Sequence, residues 1–311
     1  MPASRNREGG APAGCDGVLV VDKPAGPTSH DIVAAVRRRL RGAKVGHTGT
    51  LDPFATGVLP LVVGRATRLA RFVTAADKEY DALIRLGRAT DTCDLTGRVT
   101  FEAPAGFAPP APAAVAAALD GFVGTWMQTP PAYSAKLAGG VRAYEQARRG
   151  EAVDRPPARV TVSRLELLSI EGPLVRVRLV CSAGFYVRAF ADAVGRELGT
   201  RGCLDALRRL RSGSFTLAEA VPVAALDAGG LDGRLLPLES LLPEWPAVGL
   251  TAEGAAWAAH GRDLGPSHHR GWQGPPAGAG SAVRLVGPDG RLVALAEATA
   301  GGVLHPSVVL V

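Results

Sequence analysis

One stretch of the chain, Val45 to Pro60, limits more than any other what the protein can fold into. It reads Val-Gly-His-Thr-Gly-Thr-Leu-Asp-Pro-Phe-Ala-Thr-Gly-Val-Leu-Pro and holds three glycines, two prolines and three threonines. Glycine permits backbone angles that other residues avoid, and proline lacks an N–H donor, so no regular helix or uninterrupted central strand can run through it. We predict a shaped loop that carries one imidazole, His47, and one carboxylate, Asp52, followed by a short apolar strand over residues 57–63.

The acid in this loop has two interpretations. Asp followed by Pro often starts a turn, because the carboxylate accepts hydrogen bonds from backbone N–H groups just after it. The whole string, however, resembles the Gly-His-x-Gly-x-Leu-Asp-Pro-x-Ala-x-Gly-x-Leu motif of the TruB family of tRNA pseudouridine synthases, and further motifs extend the resemblance over roughly residues 17–215. The resemblance implies that Asp52 is the catalytic aspartate and that His47 stacks in the place of an extruded base.

The charge balance favours an acidic partner, with nucleic acid first. The 311 residues include 35 Lys and Arg against 29 Asp and Glu, which gives a formal net charge of +6 and a pI near 9.5. Most of the cations are arginines, whose forked guanidinium suits phosphate groups. A chain of this length can bury a large core and carry a second, smaller domain.

The cysteines and the amino-terminal residues indicate a cytoplasmic protein. Cys15, Cys93, Cys181 and Cys203 lie far apart, with no Cys-x-x-Cys pair and no histidine at zinc-ligand spacing. Neither a disulfide framework nor a structural zinc site is therefore predicted. Residues 1–14 are polar and rich in Gly, Pro and Ala, which predicts a disordered tail rather than a signal peptide. No stretch approaches twenty uncharged apolar residues, so we expect no membrane partner.

A strand and a helix precede the loop. The apolar run Val18 to Asp22 stops at Lys23-Pro-Ala-Gly-Pro, and Thr28 then offers an N-cap to a helix with apolar residues at helical spacing. The arginines between Arg37 and Arg41 form either a solvated face or a rim that binds RNA phosphates. Lys23 matches the family's Asp-Lys-Pro-x-Gly motif, which implies that it belongs to the substrate site as support more than as chemistry.

A cationic segment and an alternating strand follow the loop. Arg65, Arg68 and Arg71 recur every three residues, which predicts a helix with its cations on one side. Residues 79–86 alternate between apolar and polar, which predicts a strand with Tyr80 on its apolar face. A tyrosine there is usually core. The Lys-Glu-Tyr80 tripeptide nevertheless resembles the family's Lys-x-Tyr motif, which implies that Tyr80 packs against the target uracil and assists proton movement at C5.

The middle of the chain contributes a turn and an insertion. Residues 90–97 look like a cation loop but lack the alternating acidic ligands and the closing glutamate of an EF-hand. They resemble the family's Thr-Asp-Thr-x-Asp-x-x-Gly turn beside the site. After a Pro/Ala-rich linker and a helix over residues 113–119, residues 125–152 resemble the family's RNA-gripping insertion, with departures from its usual pattern at Lys136 and Val141.

Two side chains near residue 187 have roles that depend on the interpretation. A turn at residues 171–173 predicts a hairpin, whose second strand runs into a helix that begins near Tyr186. Spacing alone favours an ion pair between Arg188 and Asp192, one helical turn on. The family's motif implies instead that Arg188 pairs with the catalytic carboxylate and that Tyr186 lines the uracil pocket.

A basic segment is the last of the motifs that resemble the TruB family. Leu207-Arg208-Arg209 matches the family's Leu-Arg-Arg motif, which implies that Leu207 contacts the flipped base. As members of a dense cationic cluster, Arg208 and Arg209 are expected to bind RNA phosphates. Cys203 stands where many relatives have histidine, so one polar contact of the family is not expected here.

We predict two domains in an α+β protein. Residues 15–245 should form the pseudouridine synthase fold, a mixed and largely antiparallel sheet flanked by helices. Residues 246–311 combine a short helix, a Gly/Pro-rich link and strands around a Pro-Asp-Gly turn, and resemble a β-rich PUA-type RNA-binding domain. His268 and His269 lack carboxylate or cysteine support, so no metal is predicted there.

The resemblance implies a cofactor-free isomerisation of uridine 55 in the T loop of tRNA. The glycosidic bond breaks, the uracil turns while it is held, and C5 bonds to C1′ without redox change, so a carboxylate suffices. Asp52 either adds to C1′ or removes a proton on the way to a glycal, and the sequence does not choose between them. The alternative is an RNA-binding module that refolds tRNA, with catalysis secondary; in both cases we expect a monomer. Hydrolase, Rossmann and P-loop motifs are absent from the sequence.

Overall fold

The computed structural model describes residues 15–131, 137–138, 141–142, 156–228, 231, 233–272, 281–299 and 302–311. The predicted disordered tail, residues 1–14, lies outside this described part of the chain. Most of the predicted insertion, residues 125–152, also lies outside it.

One mixed sheet forms the body of the described structure. Its ten strands are β1 (Gly17–Lys23), β2 (Val45–His47), β3 (Thr56–Val63), β4 (Lys78–Leu86), β7 (Gly124–Gln128), β10 (Ala158–Glu171), β11 (Leu174–Cys181), β12 (Gly202–Ser212), β13 (Phe215–Thr216) and β14 (Val221–Pro222). Eight of them follow the order β14-β1-β3-β12-β4-β11-β10-β7, while β2 pairs with β3 and β13 with β12. Only the pairs β1 with β14 and β3 with β12 are parallel, so the prediction of a largely antiparallel mixed sheet is confirmed.

Three smaller groups of strands accompany this sheet. Two are hairpins, formed by β5 (Arg88–Thr90) with β6 (Val99–Glu102) and by β8 (Leu137–Ala138) with β9 (Val141–Arg142). The third is a four-stranded sheet near the carboxyl terminus, in the order β15 (Ala247–Gly249), β16 (Ser281–Val286), β17 (Leu292–Ala298) and β18 (Leu304–Val309).

Along the chain, each helix lies between two strands. The helices are α1 (Ser29–Arg39), α2 (Ala70–Ala75), α3 (Pro112–Asp120), α4 (Val187–Glu197), α5 (Ala225–Ala228) and α6 (Ala252–Ala259). The predicted helix with Arg65 and Arg68 begins as a 3₁₀ segment, Gly64–Leu69, before α2. Thr28 caps α1 as predicted, in a reciprocal pair with Asp31. In the described part of the chain, no helix has the length and apolarity needed to cross a membrane.

Burial explains which runs of sequence became which strands. Strand β4 alternates between buried and half-buried residues, so Tyr80, Ala82 and Ile84 share the core face as predicted. Strand β3 is buried on both faces: Leu59 packs in one apolar cluster and Val58 in another. A nearly continuous apolar run is what a strand covered on both sides requires.

The carboxy-terminal module packs directly on the large sheet. Leu292, Leu295 and Leu310 are buried in one cluster with Val18 and Val58 of the sheet. In addition, Arg68 Nη1 donates to the carbonyl of Val309 at 2.6 Å. The module therefore forms the cover of one face of β1 and β3, which its sequence did not indicate.

Candidate active site

The loop around Asp52 is held from outside by a side chain of α1. The Ser29 hydroxyl accepts from the Leu51 N–H at 2.9 Å and lies 3.1 Å from the Leu51 carbonyl, to which it donates. The loop then enters β3 at Gly57, whose φ is +104°. A Cβ there would lie 2.1 Å from the carbonyl oxygen of Arg209, so the close approach of β3 and β12 requires glycine.

Lys23 supports this loop through backbone carbonyls. Its side chain is fully buried, and Nζ donates to the carbonyls of Pro24, Pro53 and Ala55 at 2.9, 3.1 and 2.7 Å. All three ammonium donors thus hold the main chain, and a direct contact of Lys23 with the substrate stays a prediction. Burial lowers the pKa of Lys23 to about 8, partly offset by the nearby Asp52 carboxylate.

Arg188 clamps the carboxylate of Asp52. Nε donates to Oδ2 at 2.8 Å and Nη2 to Oδ1 at 3.1 Å, while Nη1 donates to the carbonyl of Thr92 at 2.9 Å. The arginine side chain is only 7% exposed and that of Asp52 33%, so the carboxylate faces the open side of the pair. Asp192 pairs instead with Arg196 and Arg201. The contact implied by the motif is the one present, and the helical i,i+4 pair suggested by spacing is not.

The turn over residues 90–97 positions the clamp. Asp94 is buried, and its Oδ1 accepts from the Thr92 hydroxyl and the Thr96 N–H, both at 2.9 Å. Its other oxygen lies 3.8 Å from Nε of Arg188. The turn thus places both a carbonyl and a second carboxylate beside the guanidinium, which explains why Arg188 can stay charged while buried.

A cleft of about 350 Å³ opens over the clamped carboxylate. The predicted site residues that line it are Asp52, Tyr80, Tyr186, Arg188, Leu207 and Arg209. Such a volume is at the lower end for small-molecule sites and is lined by both apolar and polar groups. These six side chains come from four separate parts of the chain, and the fold brings them together.

Tyr80 forms a buried wall of the cleft. Its side chain is 8% exposed and points from β4 toward the pocket. Burial raises the pKa of the Tyr80 phenol, and the charge of the Arg209 guanidinium opposes that rise. The phenol is thus protonated at neutral pH, with a cation beside its oxygen.

Tyr186 stands on the opposite side of the cleft and is fixed by a residue that the sequence did not single out. The Tyr186 N–H donates to Gln128 Oε1 at 2.8 Å, and Gln128 Nε2 donates to the Tyr186 carbonyl at 3.0 Å. Gln128 is 3% exposed at the end of β7. Tyr186 is the N-cap residue of α4 and has an extended backbone. It therefore lies before the apolar stripe of that helix and not within it.

His47 lies outside the lining of the cleft, at the end of β2. Its Nδ1 accepts from the Gly49 N–H at 3.3 Å. The edge of its ring meets His30 of α1, with ring centroids 5.2 Å apart. His30 carried no signal in the sequence, and it is exposed beside the half-buried His47.

The two arginines of the predicted Leu-Arg-Arg motif lie on opposite faces of β12. Arg208 faces away from the cleft and binds Asp22 through both guanidinium nitrogens, Nη1 at 3.1 Å and Nη2 at 2.7 Å. Arg209 faces the cleft but is 1% exposed. Arg209 is thus buried in the cleft wall, where its contact with RNA stays a prediction, and an intramolecular carboxylate occupies the fork of Arg208.

The other predicted phosphate ligands also divide into engaged and exposed cations. In α1, Arg37 and Arg39 donate to backbone carbonyls. Arg38 and Arg41 are exposed, and within the described residues neither takes part in a salt bridge. The α1 rim is thus narrower than the cluster in the sequence suggests.

Lys78 is a further buried cation of the cleft that sequence analysis passed over. It is 6% exposed, lines the pocket, and donates to the carbonyls of Thr74 and Ala76 at the end of α2. Burial lowers the pKa of Lys78 to about 8, and the charge of Arg209 adds to that effect. With Arg188 and Arg209, it makes the wall around the single carboxylate strongly cationic.

The fold has counterparts in solved structures. A Cbf5-Nop10-Gar1 complex contains a chain that matches 99% of this one with a TM-score of 0.72 and 27% identity, over 92% of its own length. An H/ACA RNP bound to a substrate RNA containing 2′-deoxyuridine gives a TM-score of 0.71 and 26% identity, over 95% of this chain and 85% of that one. Residues 37–187 match the N-terminal domain model of the TruB family pseudouridylate synthases. The class of protein is thus a pseudouridylate synthase.

Curated relatives extend this match to nearly the whole chain. A tRNA pseudouridine synthase B from Solibacter usitatus is 43% identical over 95% of this chain and 100% of its own length. Another from Thermobifida fusca is 42% identical over 92% of this chain and 96% of its own. The chain belongs to the TruB family.

Proposed function

We propose that this protein converts uridine 55 in the T loop of tRNA to pseudouridine. The observation that carries the proposal is the carboxylate of Asp52, clamped by Arg188 and facing an open cleft. Named relatives that share over 40% identity across nearly the whole chain point to tRNA as the substrate. We further propose that the protein acts in the cytoplasm as a monomer.

The chemistry follows from the positions of the side chains. A uridine within a folded T loop is inaccessible, so the nucleotide must be extruded into the cleft. There Tyr80, Tyr186 and Leu207 would hold the uracil, with His47 at the rim in the vacated stack. Asp52 would supply the anion, either by adding to C1′ or by removing a proton on the way to a glycal. Arg188 fixes the direction of that carboxylate through two hydrogen bonds.

The proton balance gives Tyr80 a separate task. Uridine and pseudouridine are isomers, so the proton lost from C5 is matched by one gained at N1. A group that accepts a proton and releases one therefore suffices, and no net base is consumed. We propose that the Tyr80 hydroxyl serves this step, because it is the buried hydroxyl in the wall of the cleft.

The test is base-resolved mapping of pseudouridine in an unmodified tRNA transcript, with wild-type protein and Asp52→Asn. Asparagine keeps the shape of the side chain and removes the anion, so isomerisation at position 55 should become undetectable. The tRNA dissociation constant should change by a few fold at most, about 1 kcal/mol or less. Asp205→Asn removes a carboxylate that binds Arg85 outside the cleft and should stay active. Pseudouridine formed by Asp52→Asn would refute the role of this aspartate.

An RNA-folding activity is the second candidate, carried by the net charge of +6 and the carboxy-terminal β module that resembles an RNA-binding domain. It draws on the cationic surface and not on the carboxylate. Refolding of a tRNA transcript should therefore persist in Asp52→Asn, whereas isomerisation should not.

A further inference from the structure

Arg209 is the largest fully buried side chain of the described structure. Its Nε donates to the carbonyl of Val58 at 2.6 Å, and Nη2 donates to the carbonyl of Gly49 at 3.1 Å. The guanidinium thereby joins β3 to the loop that carries Asp52. Burying a guanidinium is costly unless its donors are satisfied. A smaller neutral donor could also bind these two carbonyls. The positive charge of Arg209 therefore needs a further explanation.

Tyr80 is the neighbour of Arg209 across the sheet. The two residues are direct partners across β12 and β4, and both line the cleft. Directly opposed residues of paired strands point to the same face of a sheet, so the guanidinium and the phenol share one wall of the cleft. Nη1 of Arg209 lies 3.6 Å from where a Cβ of Gly49 would be. Burial raises the pKa of the Tyr80 phenol, and the charge of Arg209 opposes that rise.

We propose that Arg209 is a positioning residue for proton transfer at Tyr80. Its guanidinium, held beside the phenol by the carbonyls of Val58 and Gly49, stabilises negative charge on the phenol oxygen while that group moves a proton. The inference rests on the proposed role of Tyr80. In the step itself, the phenol oxygen takes the proton of C5 while its own proton passes to water. The electron pair of the C5–H bond forms the C5–C6 double bond, and the π pair of the C6–N1 double bond moves to N1, which takes a proton from water. Tyrosine and water are both left unchanged.

The surroundings of Tyr80 make Arg209 the group on which this depends. The charged and titratable groups that face Tyr80 are Arg209 from β12, Cys181 from β11, and Asp52 from the loop, with Lys78 and Arg188 elsewhere in the wall of the cleft. The Asp52 carboxylate disfavours the phenolate, and so does burial. Loss of Arg209 should therefore raise the pKa of Tyr80 further.

The first test is a double-mutant cycle of Arg209→Gln and Tyr80→Phe, read as single-turnover rates at saturating tRNA. Arg209→Gln should slow the reaction by about tenfold or more when Tyr80 is present. In the Tyr80→Phe background the same change should cost less than about twofold, since the group through which it acts is gone. Equal losses in both backgrounds would make Arg209 a merely structural tie and overturn the proposal. Near-normal turnover in Tyr80→Phe itself would instead remove the proposed role of Tyr80, whereas the role of Asp52 is judged separately by Asp52→Asn.

The second test needs no activity. Tyrosinate absorbance during a pH titration, taken as the difference between each protein and its Tyr80→Phe counterpart, isolates the ionisation of Tyr80. Arg209→Gln should move that ionisation to higher pH, and Arg209→Lys, which keeps the charge, should move it less. Lysine can also donate one hydrogen bond to β3. Arg209→Lys is therefore the variant to measure if Arg209→Gln fails to fold. An unmoved Tyr80 ionisation in both variants would overturn the proposal.

Discussion

The guanidinium of Arg188 meets both carboxylate oxygens of Asp52 from a position 136 residues further along the chain. A third nitrogen of the same group holds the carbonyl of Thr92. Three nitrogens of the guanidinium are therefore engaged, and the direction of the carboxylate is fixed. Geometry of this kind is lost when the fork is replaced by a single ammonium.

We expect Arg188→Lys to lower kcat for pseudouridine formation by about a hundredfold or more, because a misplaced carboxylate loses its alignment with C1′. Binding of tRNA, measured by filter retention, should change only a few fold. Arg196→Lys is the matched control: it removes a fork onto Asp192 from a side chain that is 64% exposed. If both variants lose activity equally, the clamp has no special part in the reaction.

The buried amine of Lys78 should make stability depend on pH. Its pKa is lowered to about 8 from 10.5, so between these values the unfolded chain binds the proton that the folded protein releases. The contribution of Lys78 to the free energy of unfolding therefore rises as the pH increases from about 8 to 10.5, and it falls as the pH decreases through the same range.

Denaturant unfolding of wild type and Lys78→Met across pH 7 to 10.5 measures this contribution. The difference in unfolding free energy, wild type minus variant, should increase with pH over that window. The exposed Lys44 provides the control, and Lys44→Met should give a difference that does not vary with pH. Parallel curves for Lys78→Met would mean that the amine titrates alike in both states.

Much of the site could be predicted because its residues sit in contiguous motifs. The loop of Asp52 and the alternating strand of Tyr80 are written in local sequence, by glycine and proline punctuation and by a period of two. The partner of Arg188 could not be predicted from local sequence. Spacing favoured Asp192, and only the family resemblance indicated Asp52, since an ion pair that closes across 136 residues leaves no local pattern.

The burial of two cations could not be predicted from local sequence. Lys23 and Arg209 are buried because backbone carbonyls of the loop and of β3 satisfy them, and no periodicity announces such partners. Gln128 was overlooked for the same reason: its role is to bind the main chain of Tyr186. The cover of β1 and β3 by the carboxy-terminal module also has no local signal, since it depends on how the two sheets meet.

The exposed arginines at the carboxyl end of α1 and just beyond it should carry phosphate binding. We expect the double substitution Arg38→Gln and Arg41→Gln to weaken tRNA binding and to reduce the slope of log Kd against log salt by about one or two phosphate contacts. Turnover at saturating tRNA should stay near normal. Arg176→Gln is the control, because Arg176 binds Asp81 on the face of the sheet away from the cleft. An unchanged slope in the double variant would show that α1 has only a solvated face.

The carboxy-terminal module should prove necessary for the stability of the large domain, since its leucines share a core with β1 and β3. Leu310 is fully buried in that shared core, whereas the adjacent Val311 is 56% exposed. We expect Leu310→Ala to lower the free energy of unfolding by about 2–5 kcal/mol, and Val311→Ala by no more than about 0.5 kcal/mol. Because the clamp and the cleft lie elsewhere, kcat of Leu310→Ala should stay near that of wild type at temperatures where the variant is folded. Removal of residues 247–311 should expose Val18 and Val58 and yield an unstable or aggregated protein, so a stable truncated domain with full activity would contradict the shared core.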